Sequence, residues 1–293
     1  MTAHLDPRRH AYRDDLADAR LEGRVEARRF VEGEPASVAR AVLDIHEAPQ
    51  DAALATQLLR GAEVDIFERR GRHAWVQARG DGYVGWCEAD GLAEAAPARD
   101  HVVAVARTFV YGPPELRSVP LATLSMGTRL RVDGFVENRG NRYWRLDDGT
   151  HVFAAHLRPL DDHDLDFVAV AEALVGTPYL WGGASALGID CSGLVQLALA
   201  MCGRPAPRDS DMQEAELGAV VDAGAAGFAY RRGDLVFWPG HVGIMADAER
   251  LLDANGVAMS TTIGRYADKA TGIEAKYGAP RTVRRIVAGD PPG

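Results

Sequence analysis

The sequence predicts an α+β chain, with two small antiparallel β-barrels followed by a larger domain in which helices pack on a sheet. Three features carry that expectation. Residues 37–160 alternate apolar and polar positions in short runs separated by glycine turns, and the pattern is passed through twice at a period of about 60 residues. Past the acidic stretch Asp161-Asp162-His163-Asp164 the apolar spacing turns helical, and from Asp234 onward it returns to strands. Helices followed by antiparallel strands indicate an α+β layer arrangement.

Taken in order, residues 1–36 form a charged arm, and Leu16, Ala19, Leu21 and Val25 space it as a partial helix over 14–31 that packs on the later domains. The first barrel, 37–98, is expected from strands near 41–45, 63–68, 73–78 and 83–87, with Gly-Arg and Gly-Asp-Gly turns between them. The second, 99–160, repeats the plan with strands near 105–110, 127–132, 142–146 and 151–154. The domain over 161–293 opens with a helix over 167–175 that ends at Gly176-Thr177-Pro178. A second helix over 192–201 is closed by Gly203 and Pro205, and a third is expected over 209–217. Strands are expected next at 234–238, 241–246, 251–254 and 282–287.

A chain of 293 residues with 47% hydrophobic and 26% charged residues is long enough for several domains with a sizeable core. Its formal charge of −9 counts against a nucleic-acid partner, which phosphate binding would require to be basic. No window approaches the roughly 18 apolar residues of a membrane span. The stretch from Met1 to His10 lacks the apolar core of a secretion signal, so a cytoplasmic location is expected. Three widely spaced cysteines make neither a disulfide framework nor a metal site, and no cofactor is implied. Cys87 and Cys202 are expected to be small buried residues.

Cys191 is different. It stands in Gly188-Ile189-Asp190-Cys191-Ser192-Gly193-Leu194, where polar and small neighbours replace the bulky residues of a core helix. At the start of a helix, unpaired N–H groups and the positive dipole end stabilise a thiolate. Thiol chemistry also needs a base, and His241, opening the apolar run Val242-Gly243-Ile244 after Trp238-Pro239-Gly240, is the candidate. A tight turn near 247–250 would bring Asp253 and Asn255 to the face that carries His241, where either would fix the imidazole.

Four motifs in order carry a resemblance: Gly176-Thr177-Pro178-Tyr179-Leu180-Trp181-Gly182-Gly183, Asp190-Cys191-Ser192-Gly193-Leu194-Val195, Gly233-Asp234-Leu235-Val236-Phe237 and His241-Val242-Gly243-Ile244. Together they resemble the NlpC/p60 cell-wall peptidases over residues 164–290, which implies a papain-like domain. The run Gly82-Tyr83-Val84-Gly85-Trp86 likewise resembles the end of a bacterial SH3-like repeat, a signature that the second barrel lacks at Gly149-Thr150-His151-Val152-Phe153. The resemblance implies a triad of Cys191, His241 and, by position, Asp253, where many members carry histidine. It also implies that Tyr179 and the Cys191 backbone N–H hold the oxyanion.

Among such enzymes, the chain resembles the γ-D-glutamyl-L-diamino acid endopeptidases, which release L-Ala-γ-D-Glu from murein peptides with a free N-terminal L-Ala. That likeness implies that Tyr83, Asp190, Ser192 and Ser210 read the amine and that Trp181 lines the cleft, with the first barrel closing one end. Ser210 has a competing use as the N-cap of a helix beginning at Asp211. Glu47 is a further carboxylate candidate, although an acid on a barrel loop is ordinarily just solvated. Arg208 is a candidate for the D-Glu α-carboxylate, with a salt bridge to Asp209 or Asp211 as its competing use. The alternatives are a secreted hydrolase of intact peptidoglycan and a non-catalytic peptide-binding protein.

Overall fold

The computed structural model describes residues 5–50, 53–95 and 98–286. The chain divides into two compact units, Met1–Leu160 and Asp161–Gly293. In the first unit, a seven-stranded sheet closes around Val38, Leu43, Ile45, Val64, Ile66, Val76 and Cys87. The strands Glu34–Val38, Val42–His46, Glu63–Arg70, His73–Ala78 and Val84–Glu88 each turn alternate residues inward. The first of them begins at Glu34, inside the stretch assigned to the arm. Pro35 is paired on one side only, with Asp65, because Leu92–Glu94 reaches no further than 36–38, and a strand position without a second neighbour tolerates proline. Two strands, Leu54–Leu59 and Pro120–Ser125, carry too mixed a pattern to be read from sequence. The second barrel joins a five-stranded and a three-stranded sheet around Val103, Val110, Leu124, Leu146 and Val152.

The expected arm helix does not form. Ala17–Asp18 and Phe30–Val31 pair as short parallel strands, and the helical piece between them is the 3-10 turn Ala19–Leu21, whose Arg20 N–H donates to Asp18. Tertiary pull explains the difference. Ala11 and Leu16 are drawn into a cluster with Phe67, Trp75 and Trp86, and the Arg13 guanidinium lies 4.1 Å over Trp75 while donating to Glu68. Fixing these residues on an aromatic surface outweighs a weak helical period.

The second unit carries α1 (Phe167–Glu172), α2 (Cys191–Met201), α3 (Ser210–Glu216) and α4 (Tyr266–Tyr277). Its six-stranded antiparallel sheet contains β1 (Ala219–Val221), β2 (Asp234–Trp238), β3 (His241–Met245), β4 (Arg250–Asn255), β5 (Ser260–Arg265) and β6 (Thr282–Arg285), in the order β1-β6-β2-β3-β4-β5. The expected end of β6 at Val287 lies outside the described residues. β1, β5 and α4 have no readable sequence signal. The apolar helix α2 is buried on nearly every side and packs on β3 and β4. Cys87 is buried, and burial pushes its thiol up to about 12. Cys202, expected inside, is only half-buried, because it sits at the C-terminal end of α2.

Asp234, at the head of β2, ties this sheet together. Its fully buried carboxylate accepts from Nε and Nη2 of Arg285 on β6, each at 2.7 Å, and from the Arg231 N–H. Removing it strips Arg285 of its partner. Asp234→Ala is expected to destabilise the second unit by about 3 kcal/mol, read as a lower urea midpoint, with Asp234→Asn costing less.

Candidate active site

Asp190 builds the loop that carries the thiol. Its side chain caps α2, accepting the Gly193 N–H at 2.7 Å, and also accepts the Gly182 N–H at 3.0 Å and the Ser192 hydroxyl. The cap makes Cys191 the first helical residue, where its own N–H has no intrahelical acceptor. Gly193 has to be glycine, since a Cβ there would lie 2.4 Å from the Gly183 carbonyl oxygen. Cys191 is 7% exposed at the head of this helix.

The base arrives on a hairpin. Trp238 pairs with His241 across Pro239-Gly240, and the positive φ of Gly240 suits a turn with proline then glycine at its centre. Pairing of Met245 with Leu251 and of Ile244 with Leu252 sets the register, placing Asp253 and Asn255 on the His241 face. His241 Nε2 donates to Asp253 Oδ2 at 3.0 Å, and the Cys191 side chain acts on the ring as well. Asn255 donates to Asp253 at 3.0 Å, so it steadies the carboxylate one step away from the ring. Tyr277 stacks on the imidazole at 5.2 Å with an interplanar angle of 10°.

Electrostatics favour a charged imidazole. Burial by itself pulls the ring down, but the hydrogen bonds to Asp253 and Cys191, and the charges of both, outweigh it and push His241 up to about 9. Burial likewise pushes the Asp253 carboxyl up, and His241 and Lys269 together reverse this, holding it below the usual carboxylate value. The Tyr179 phenol is raised, by burial first and then by the neighbouring Cys191 and Asp190, so it remains a donor at neutral pH.

Arg208 is not the free cation that recognition of a substrate carboxylate would need. It is buried, its Nη1 donates to Asp190 Oδ1 at 3.0 Å and its Nη2 to Asp190 Oδ2 at 2.7 Å, with further bonds to the Ser192 hydroxyl and the Gly183 carbonyl. Asp190, the N-cap of the nucleophile helix, is thus the buried ion-pair partner, where Asp209 or Asp211 was expected. Ser210 is the first residue of α3 and Asp209 holds the cap position, so the expected capping role of Ser210 is also corrected. Gln213 on α3 donates to the carbonyls of Ser192 and Pro207, fastening α3 to the nucleophile helix. Trp181 stands 65% exposed on the loop before Asp190. Tyr83 and Glu47 belong to the first unit, Tyr83 buried just before the strand Val84–Glu88 and Glu47 exposed on the loop after Val42–His46.

Residues 176–274 match the NlpC/P60 family, and residues 45–92 match the bacterial dipeptidyl-peptidase SH3 domain. The chain is 30% identical over 219 residues to dipeptidyl-peptidase 6 of Lysinibacillus sphaericus, covering 66% of this chain and 77% of that protein. The chain belongs to the NlpC/P60 family. It is also 26% identical over 234 residues to the gamma-D-glutamyl-L-lysine dipeptidyl-peptidase of Bacillus subtilis (strain 168), covering 73% of this chain and 76% of that one. The crystal structure of an NlpC/P60 family protein from Bacillus cereus ATCC 10987 superposes with a TM-score of 0.71 at 19% identity, over 87% of this chain and 100% of that one, and so shares its fold. Membership supports a cysteine-peptidase activity.

Within this NlpC/P60 frame, two contributors escape a reading of the sequence. Lys269 and Tyr277 come from α4, which has a largely polar sequence and no motif, and only the fold carries them to Asp253 and His241. Arg208 stands out in the sequence, but its partner is legible only in three dimensions.

Two outcomes check this geometry. Inactivation of Cys191 by iodoacetate, whose carboxylate is drawn in by the imidazolium, should fall as pH rises through about 9, where His241 loses its proton. A rate that declines already near pH 6.5 would mean that Asp253 and the thiol do not hold the charge. Arg208→Ala leaves Asp190 buried and uncompensated and is expected to cost about 3–5 kcal/mol in chemical denaturation. A stable Arg208→Ala protein with only a raised KM would return Arg208 to substrate binding.

Proposed function

We propose that the chain is a cysteine peptidase that hydrolyses the γ-D-glutamyl–diamino acid bond of murein peptides bearing a free N-terminal L-Ala, releasing L-Ala-γ-D-Glu. The observation that carries the reading is a thiol at the head of α2 that acts on the His241 ring, with that ring held 3.0 Å from the buried Asp253 carboxylate.

In this mechanism the Cys191 thiolate attacks the γ-carbonyl carbon, and the carbonyl π pair moves onto oxygen. The Cys191 N–H and the Tyr179 phenol donate to that oxyanion. The His241 imidazolium gives its proton to the departing amine of the diamino acid, and a thioester remains. Neutral His241 then takes a proton from water, whose oxygen attacks the thioester, and the product carboxylate leaves as the thiolate–imidazolium pair is restored. Asp253 keeps the ring oriented through both halves.

The bond assignment is supported by two relatives named as dipeptidyl-peptidases, one of them specified as gamma-D-glutamyl-L-lysine. The amine assignment is supported by the same names, because a dipeptidyl-peptidase releases two residues from a free N-terminus, and acetylation removes the charge found there. We place the reaction in the turnover of free wall peptides in the cytoplasm.

Mass spectrometry of L-Ala-γ-D-Glu-diaminopimelate digests tests this, with the N-acetylated peptide, intact sacculus and Cys191→Ser as comparisons. Cleavage of the free peptide at least about 100-fold faster than of the acetylated one is expected, with none by the variant. Equal rates would remove the amine reading, and release from sacculus alone would favour a wall hydrolase.

A further inference from the structure

Asp253 is fully buried, and its two oxygens serve different partners. Oδ2 takes the His241 bond at 3.0 Å. Oδ1 takes Asn255 at 3.0 Å and the Lys269 ammonium at 2.5 Å, with the lysine side chain 14% exposed. The remaining donors of Lys269 are held on β5, by the Thr262 hydroxyl and by the Thr262 carbonyl at 3.1 Å. Lys269 sits in the first turn of α4, one turn past Tyr266, and that helix ends with Tyr277 stacked on the His241 ring. One helix therefore supports both members of the base pair.

We propose that Lys269 is a positioning residue for the catalytic base, acting through Asp253: its ammonium locks the carboxylate on β4 and offsets the carboxylate's charge, so that Asp253 orients His241 without over-stabilising the imidazolium. The inference rests on the triad reading and is independent of the substrate assigned above.

Three physical steps support it. A buried carboxylate beside an imidazole favours the protonated ring strongly, and the more so as the local dielectric falls. A base that never releases its proton cannot activate the water that clears the thioester, so an uncompensated aspartate would favour acylation at the expense of deacylation. Lys269 moderates this effect, because a cation on Oδ1 divides the charge that would otherwise fall wholly on the ring. The ammonium also fixes the carboxylate's rotation about its own axis, since Oδ1 is pinned by Asn255 of β4 and Lys269 of α4 while Oδ2 faces the ring.

The charged and titratable groups around the pair are Cys191 from α2, Lys269 and Tyr277 from α4, Tyr179, which neighbours both Cys191 and Tyr277, and Lys276, whose Nζ is 5.3 Å from the Tyr277 ring. Lys269 is the cation that touches the carboxylate, whereas Lys276 is exposed and lies against the stacked tyrosine. The effect is therefore assigned to Lys269.

The test compares wild type, Lys269→Met and Lys269→Arg by the pH dependence of Cys191 inactivation with iodoacetate and of peptide kcat/KM. Lys269→Met should move the alkaline limb of inactivation upward by about one pH unit and lower kcat/KM several-fold at neutral pH. Lys269→Arg, which keeps the charge, should stay within roughly 0.3 unit of wild type. Superimposable limbs in wild type and Lys269→Met overturn the proposal, as does an equal loss of activity in both variants with no shift of the limb, since that is what a merely structural lysine would give.

Should Lys269→Met fail to fold, Asp253→Asn is compared with Asp253→Asn/Lys269→Met, in which no unpaired charge is buried. Equal kcat/KM in the two supports action through Asp253, and a further fall of about tenfold in the double variant overturns it. Inactivation needs no substrate, so a wrong peptide leaves this result intact, whereas a wild-type Cys191 that never reacts would overturn the triad and the proposal together.

Discussion

Both halves of the site depend on a buried carboxylate, and each carboxylate is matched by a cation. Asp190 holds the nucleophile helix and is clamped by Arg208, while Asp253 holds the imidazole and is clamped by Lys269. An isolated carboxylate in such surroundings would cost several kcal/mol or take up a proton. Protonated, Asp253 would not serve, because orienting an imidazolium requires the anion. The cations are thus part of what keeps the two reacting groups in register.

The consequence for the reacting pair is rigidity. Cys191 is fixed by the cap and by a glycine whose absent Cβ lets the Gly183 carbonyl approach the helix. His241 is enclosed by the Trp238 hairpin on one side and the Tyr277 ring on the other, with 1% of its surface exposed. Neither group has to lose conformational entropy to reach the other, which is the circumstance in which electrostatic preorganisation is most effective.

A carboxylate at Asp253 also changes the balance at the ring. It draws the proton toward His241, at the risk of making the ring a poor base. The contact from α4 bears on that risk, and it is made by a helix with a mostly polar sequence that packs through Ala270, Ile273 and its tyrosines. A segment that looks like a surface connection is in this chain a wall of the candidate site.

The class of the second domain, the helix that opens at Cys191 and the strand that opens at His241 are all legible in the chain itself, because each rests on local physics. Asp190 followed by small residues caps a helix, and Pro239-Gly240 between apolar runs turns a hairpin. The same local reasoning fails for residues 14–31, where an aromatic surface on other strands overrides a weak period, and it passes over β5 and α4, whose patterns are mixed. Folding in three dimensions was needed to assign Arg208 to Asp190, to set Asn255 behind Asp253 at one remove from the ring, and to bring Lys269 and Tyr277 to the base. Ion pairs and ring stacks between distant segments leave no periodicity in the chain, since they are specified by the packing of α3 and α4 against strands and loops far away in sequence.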